Sequence, residues 1–266
     1  IHAVIAWKIN DTLPVAGGPT INYSGTKLAQ GVVTPGDEFK FEGDGVGYGF
    51  NAGLLWQPHP QHSFGLAYHS AVSMHYSGHT RLSIPGFTTS FEVFPGFFVP
   101  VDVPGTFREE DADVEFQYPQ SIMAGYSWRP TPEWNLEVNV NWTDWDSLNT
   151  LTLHQPSGDV ALPFNWESSF FYSFGATRYL PKGFRVSAGY IYSENSVPNE
   201  SFSPLVPDSN RHVLSVGVGQ ELDRVSWDIS YQYAYGPHRK IDNGTLANGT
   251  YRFESHAIAI SLGYRF

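Results

Sequence analysis

Cysteine is absent from the chain, which excludes disulfides, thiolate metal sites and a cysteine nucleophile together. Methionine occurs only twice. No stretch approaches the roughly 20 consecutive apolar residues that a membrane-spanning helix needs, and no 3.6-residue apolar stripe stands out. Basic residues are few: 15 Lys and Arg against 26 Asp and Glu give a net charge of −11, which opposes nucleic acid as a partner. The first residue is Ile and no signal-peptide pattern follows it, so a processed or truncated form is expected. Abundant instead are rings and glycine: 16% aromatic residues and 26 Gly, at a mean hydropathy of −0.27. Rings and a polar average coexist when large apolar residues alternate with Gly, Ser and Asn.

That alternation is present. In "WNLEVNVNW", Leu136, Val138, Val140 and Trp142 alternate with Asn135, Glu137, Asn139 and Asn141. In "FNAGLLW", Phe50, Ala52, Leu54 and Trp56 share one face. In "FGLAYHSAVSMHY", Phe64, Leu66, Tyr68, Val72, Met74 and Tyr76 are set opposite Gly65, His69, Ser73 and His75. The end, "HAIAISLGYRF", puts Ile258, Ile260, Leu262 and Tyr264 on one face and small residues on the other. A period of two is the mark of a β-strand.

Eleven strands are expected: 1–8, 12–24, 40–57, 62–83, 113–129, 134–151, 167–180, 184–195, 211–221, 226–236 and 251–266. Short turns at 8–12, 57–61, 129–133, 180–183 and 221–225 alternate with long polar loops near 25–44, 80–112, 147–166, 195–210 and 237–250. Short turns on one side and long loops on the other are the layout of an outer-membrane barrel. Trp7, Trp56, Trp128, Trp134 and Trp227 all flank short turns, where a membrane interface collects such rings. The expected fold is therefore all-β, a transmembrane antiparallel β-barrel, with its apolar face outward. An apolar C-terminal strand ending in an aromatic, here Phe266, is the end that barrel-assembly machinery reads. The last strand descends from a long loop, and by alternation so does the first. A barrel of even strand number does not begin on a descending strand, so at least one earlier strand is expected.

Several stretches together resemble the FadL/TodX-like family of outer-membrane transporters for hydrophobic compounds. They are "INDTLPVAGGPTINYSGTKL", "YGFNAGLLWQP", "SENSVPNESFSPLVPDSNRHVLSVGVGQEL" and "YRFESHAIAISLGYRF", and they run in order through nearly the whole chain. The resemblance implies a barrel of about fourteen strands, even-numbered as single-chain bacterial barrels are. It also implies an N-terminal hatch plugging the lumen. On that basis the hatch and first three strands are expected to be absent from this single-domain chain, leaving the C-terminal eleven. The family's first contact with substrate is a groove between two extracellular loops. By position these would be 25–44 and 83–107.

The 83–107 loop carries Phe87, Phe91, Phe94, Phe97, Phe98 and Phe107 among four prolines. Exposed rings in water mark a binding surface, and proline lowers the entropy lost in presenting them. Two alternatives stand: the rings capture a hydrophobic solute, or they pack on one another and cap the barrel. Alternation points His69, His75, Glu137, Asn139, Asn141, Arg185, Asp228, Gln232 and Arg265 into the lumen. Such charges commonly pair across a barrel; for a carboxylate substrate, Arg185 would be the partner. In "VPDSNRH", Asp208 and Ser209 suit a turn and Arg211 suits an ion pair at the mouth.

His69 and His75 are about 20 Å apart along a strand and share no metal. No cofactor is expected. No Ser-His-acid set converges, so no catalytic residue is assigned. The expected function is passive uptake of hydrophobic compounds, fatty acids or aromatic hydrocarbons, past the lipopolysaccharide leaflet. The alternative is a general porin for small hydrophilic solutes, which would need a charged constriction loop rather than a Phe-rich external one.

Overall fold

A computed structural model describes residues 1–31, 36–204, 206–245 and 247–265; the side chains of Gln30, Val93 and Phe97 also lie outside that description. Its strands are β1 (Ile5–Asn10), β2 (Leu13–Gln30), β3 (Glu38–His59), β4 (His62–His69), β5 (Val72–Ile84), β6 (Phe87–Phe94), β7 (Phe97–Val103), β8 (Thr106–Tyr118), β9 (Ser121–Thr131), β10 (Trp134–Thr143), β11 (Thr150–His154), β12 (Val160–Pro163), β13 (Ser169–Tyr179), β14 (Phe184–Ser193), β15 (Arg211–Glu221), β16 (Val225–Ile241) and β17 (Gly249–Tyr264). All the ladders are antiparallel.

The wall still contains eleven runs. β3 pairs with β4 through Asn51–His59 and with β5 through Glu38–Val46, so β4 and β5 lie end to end beside it. β9 and β8 lie end to end in the same way beside β4 and β5. The order is then β1, β2, β3, β4 with β5, β9 with β8, β10, β13, β14, β15, β16 and β17. Among the described residues no ladder joins β1 to β17, and each has one neighbour.

Two interruptions shift the expected pattern. From the Asn51–His69 pair to the Val46–His75 pair, the β4–β5 run uses one residue more than β3 does. That is a bulge at 70–71. Ser70 fills it: its Oγ accepts the Phe50 amide at 2.9 Å and its own amide donates to the Phe50 carbonyl at 2.9 Å. Beside it, Pro119 and Gln120 part β8 from β9, as a residue without an N–H would. One extra residue turns every later side chain to the other face. His75 therefore stands on the outer face, ion-paired with Asp113 at 3.5 Å, and not in the lumen as expected. Met74 and Tyr76, expected outside, are buried within. His69 keeps the lumen face, where its Nδ1 meets Asn51 Oδ1 at 2.8 Å.

Below the bulge the outer face is apolar. Ile258, Ile260 and Leu262 are 72, 68 and 79% exposed, facing away from any core. The expected Trp belt is in place, with Trp7, Trp56, Trp128 and Trp134 exposed beside the short turns. The β13–β14 turn is made by Lys182 and Gly183, both left-handed, and a Cβ on Gly183 would meet the Glu221 carbonyl.

Above the bulge the long loops are more ordered than expected. The 80–112 stretch holds the β6–β7 ribbon and the extended ends of β5 and β8. Strand 134–151 stops at Thr143, and 147–166 folds into the β11–β12 hairpin. Two apolar cores result. One gathers Phe41, Met74, Tyr76, Val114, Leu151 and Leu153. The other gathers Leu148, Trp166, Val197, Phe202, Ile241 and Ala247. Phe116 and Phe164 pack against both.

Candidate functional site

The β11–β12 hairpin lies over the inner face of the extended wall. Its "TLTLH" strand alternates, Leu151 pairing with Leu162 and Leu153 with Val160. A ladder from Leu153 to Val114 ties it to β8. Gly158 makes the tip at φ +127°, a conformation that favours glycine. The Ser157 amide donates to Glu110 at 3.1 Å, and the Ser157 hydroxyl bonds the other carboxylate oxygen.

Behind the hairpin is a cavity of about 390 Å³, lined mostly by Leu28, Phe39, Phe41, Leu82, Leu151 and Leu162. That volume falls within the ~300–1,000 Å³ of ordinary ligand sites. Its polar lining is Thr80, Arg108, Glu110, Gln155 and Ser157. Arg108 stands at the rim with no ion pair or hydrogen bond among the described residues, and Gln155 Nε2 is enclosed without an acceptor. The sequence reading passed over all of these, taking 147–166 for a polar loop. The signal was there in the alternating leucines on either side of Gly158.

A second cavity, about 420 Å³, lies at the mouth among Trp145, Trp166, Phe171, Arg211 and Phe253. Arg211 pairs with Asp208 at 2.9 Å, as expected, and its guanidinium sits 4.6 Å from the Phe253 ring centre. Arg211 Nε, Trp166 Nε1 and Asn141 Oδ1 have no partner there. Phe116 and Phe164 pack against both of the cores whose residues contribute to these linings.

The expected Phe set does not act as one surface. β6 and β7 form a separate two-stranded ribbon, pinned by Thr88 to Asp102 at 2.7 Å. Phe87 and Phe91 share its apolar face with Val99, Val101 and Val103; Phe98 is on the opposite face beside Glu92. Phe94 is at the tip, and the Phe97 side chain lies outside the described residues. Phe87, Phe91, Phe94 and Phe98 are exposed, Phe91 to 62%, so the ribbon does not cap the barrel with a buried ring cluster. Phe107 is apart from it on the outer face of β8, under Arg81.

Several of the lumen residues are paired. Arg185 grips Asp228 through two bonds of 2.9 and 2.6 Å, and Glu221 reaches Arg265 at 2.5 Å. Arg185 is therefore spoken for and does not offer itself to a carboxylate. Glu137 accepts from Asn135 at 2.9 Å. A residue not singled out from sequence, Arg239, organises the 195–210 loop. It donates to Asn195 Oδ1 at 2.7 Å, to Asn199 Oδ1 at 2.8 Å and to the carbonyls of Val197 and Asp208, over the Phe202 ring. Burial pulls its guanidinium below the usual arginine range, with Asp208 and Glu200 opposing.

An antiparallel wall with an apolar exterior, a polar interior and cavities at its loop end defines an outer-membrane β-barrel protein. A family model described as "Outer membrane protein transport protein (OMPP1/FadL/TodX)" matches residues 1–266, and the chain belongs to that family. It is 26% identical over 245 residues to a long-chain fatty acid transport protein of Escherichia coli, covering 90% of this chain and 53% of that one. The chain thus spans about half the length of the curated relatives it matches. A Pseudomonas aeruginosa FadL homologue shares the fold at TM-score 0.72 and 18% identity, over 97% of this chain and 64% of that one. The Pseudomonas putida toluene transporter TodX shares it at 0.69 and 15%, over 99% and 68%. The protein is one of the bacterial outer membrane.

Proposed function

We propose that the protein takes up hydrophobic compounds across the outer membrane, passively, and carries out no catalysis. The observation that carries this reading is the cavity behind β11–β12, in which nine of the fifteen lining residues are Leu, Val or Phe. The apolar face of the β6–β7 ribbon, with Phe87 and Phe91, gathers solute above the sugar layer. The cavity holds it, and movement of Phe116 and Phe164 passes it to the mouth cavity beside Trp166. The relatives named for long-chain fatty acids and for toluene support this substrate range. A general porin is disfavoured, because two apolar cores pack the loop end.

In a bilayer the outer edges of β1 and β17 need backbone partners, so further strands complete the barrel. The exterior of the extended wall lies against lipopolysaccharide. The C-terminal strand, whose last residue Phe266 lies outside the described residues, engages the assembly machinery. Uptake of a labelled hydrocarbon by cells producing wild type or Phe87→Ser/Phe91→Ser tests the gathering step. The double variant should slow hydrocarbon entry and leave sugar entry unchanged; equal rates for both would remove the ribbon from the pathway.

A further inference from the structure

We propose that the outer face of β14–β17, at its extracellular end, is a seat for one lipopolysaccharide molecule, holding its phosphorylated glucosamine head and first core sugars. This goes beyond the uptake reading and rests only on the protein's place in the outer membrane.

A row of rings marks the seat. Tyr192, His212 and Tyr235 are paired across β14, β15 and β16 on one face. His212 lies 5.1 and 5.0 Å from the two tyrosine ring centres, and its Nδ1 meets the Tyr190 hydroxyl at 2.7 Å. Tyr233 and His256 continue the row onto β17, 5.0 Å apart. Below the row, exposed Val216, Val218, Ile229 and Ile260 share the same face.

Above the row the strands open into a polar cleft of about 440 Å³. Asn210 and Pro237, in its lining, are two residues from His212 and Tyr235. Glu167, Glu200 and His238 line it too and are exposed. Their side chains make no hydrogen bond or ion pair among the described residues. Two cations flank the row. Thr250, Arg252, Glu254 and His256 alternate onto the outer face of β17, and Lys240 pairs with Thr250. Lys240 and Arg252 are thus one diagonal apart. Among the described residues Arg252 hydrogen-bonds only Glu254, at 2.9 Å, with 64% of its side chain exposed, and exposed Lys240 has no partner. Like charges so placed repel until an anion lies between them.

From the membrane outward the face runs apolar, ring and cation, then polar cleft. A lipopolysaccharide runs acyl chain, phosphorylated disaccharide, then further sugars. Tyrosine offers a sugar a flat apolar face with a polar tip. Arg252 can take a phosphate through two N–H groups, and Lys240 adds a point charge. The amide, carboxylates and imidazole of the cleft suit sugar hydroxyls. A phospholipid would leave the cleft unfilled, and a soluble glycan would leave the apolar flank bare.

The test is native mass spectrometry of the full-length protein mixed with rough lipopolysaccharide and excess phosphatidylglycerol in detergent. Wild type should retain one lipopolysaccharide against the excess. Lys240→Gln/Arg252→Gln should lower retention about tenfold, the scale of a lost charge-assisted contact. Lipopolysaccharide stripped of its lipid A phosphates should bind wild type as weakly as the intact form binds the double variant. Tyr235→Ser should also weaken retention, whereas Arg224→Gln, at the short-turn end, should not. Heat-modifiable migration confirms that each variant has folded. Undiminished retention in the double variant overturns the seat. Equal retention of phosphatidylglycerol overturns it too, leaving a rim that attracts any anionic lipid. Full displacement by free core oligosaccharide overturns it in favour of a soluble glycan. Each of these leaves hydrophobic uptake standing.

Discussion

Single residues decide most at the loop end, where Arg239 is the clearest case. Its guanidinium serves four acceptors on the 195–210 loop, two of them backbone carbonyls, and of these only Val197's also accepts from the Asn195 side chain. Arg239→Ala would leave those acceptors partly enclosed, at a cost of about 2–3 kcal/mol. Limited proteolysis should then cut within 195–210 while the barrel keeps its heat-modifiable migration. Lysine should rescue poorly, since its ammonium cannot reproduce a planar fork. An unchanged digestion pattern would show that the loop is held by its apolar contacts, Val197 and Phe202, alone. From sequence, Arg239 was one cation among fifteen. Its partners come from residues some forty positions away, and no local pattern announces that. Arg211 was expected to pair at the mouth, and the partner it finds is Asp208, three residues away. Arg185 was placed in the lumen by alternation, but its grip on Asp228 depends on two strands meeting.

The informative elements are β4 with β5 and β9 with β8. Within the membrane, apolar side chains face out, toward lipid. Above it, the extended wall folds like a soluble sheet, and its apolar side chains face in, against β11. Leu66 and Tyr68 point outward, and Met74 and Tyr76 inward. The apolar period keeps one phase through them, interrupted only by Ser70, so the reversal is supplied by one extra residue at 70–71. This is why the strands themselves were legible and the facing of His75 was not. An apolar period of unchanged phase looks the same on either side of a bulge. Inserting one alanine after Val72 should turn Met74 and Tyr76 out of their core, at about 1.5–3 kcal/mol for each side chain, whereas deleting Ala71 removes the extra residue and keeps their facing. Loss of heat-modifiable migration is the expected result for the insertion and not for the deletion; a normally folded insertion would mean that the extended wall tolerates either phase. The β6–β7 ribbon allows a sharper comparison. Phe87→Ser/Phe91→Ser alters its apolar face, whereas Phe98→Ser alters the face shared with Glu92. Hydrocarbon uptake should fall for the first and stay near wild type for the second.

Across the whole molecule, the eleven-run wall and the Trp belt follow from strand period and turn spacing, both local properties that a sequence displays. The cavity behind β11–β12 does not, because it forms where β2, β3, β5, β8 and a hairpin from a distant loop converge. The central claim is that this cavity holds the solute on its way in. Uptake of radiolabelled dodecanoate by cells producing equal amounts of wild type or Val160→Trp tests it most directly, with a small sugar as control. Val160 is partly exposed and lines the cavity, so the indole can enter it without burying a charge. The account predicts at least about a tenfold loss of dodecanoate entry, the equivalent of roughly 1.4 kcal/mol of lost binding, with sugar entry unchanged. Dodecanoate entry equal to wild type, in a variant that folds and reaches the outer membrane, would contradict it.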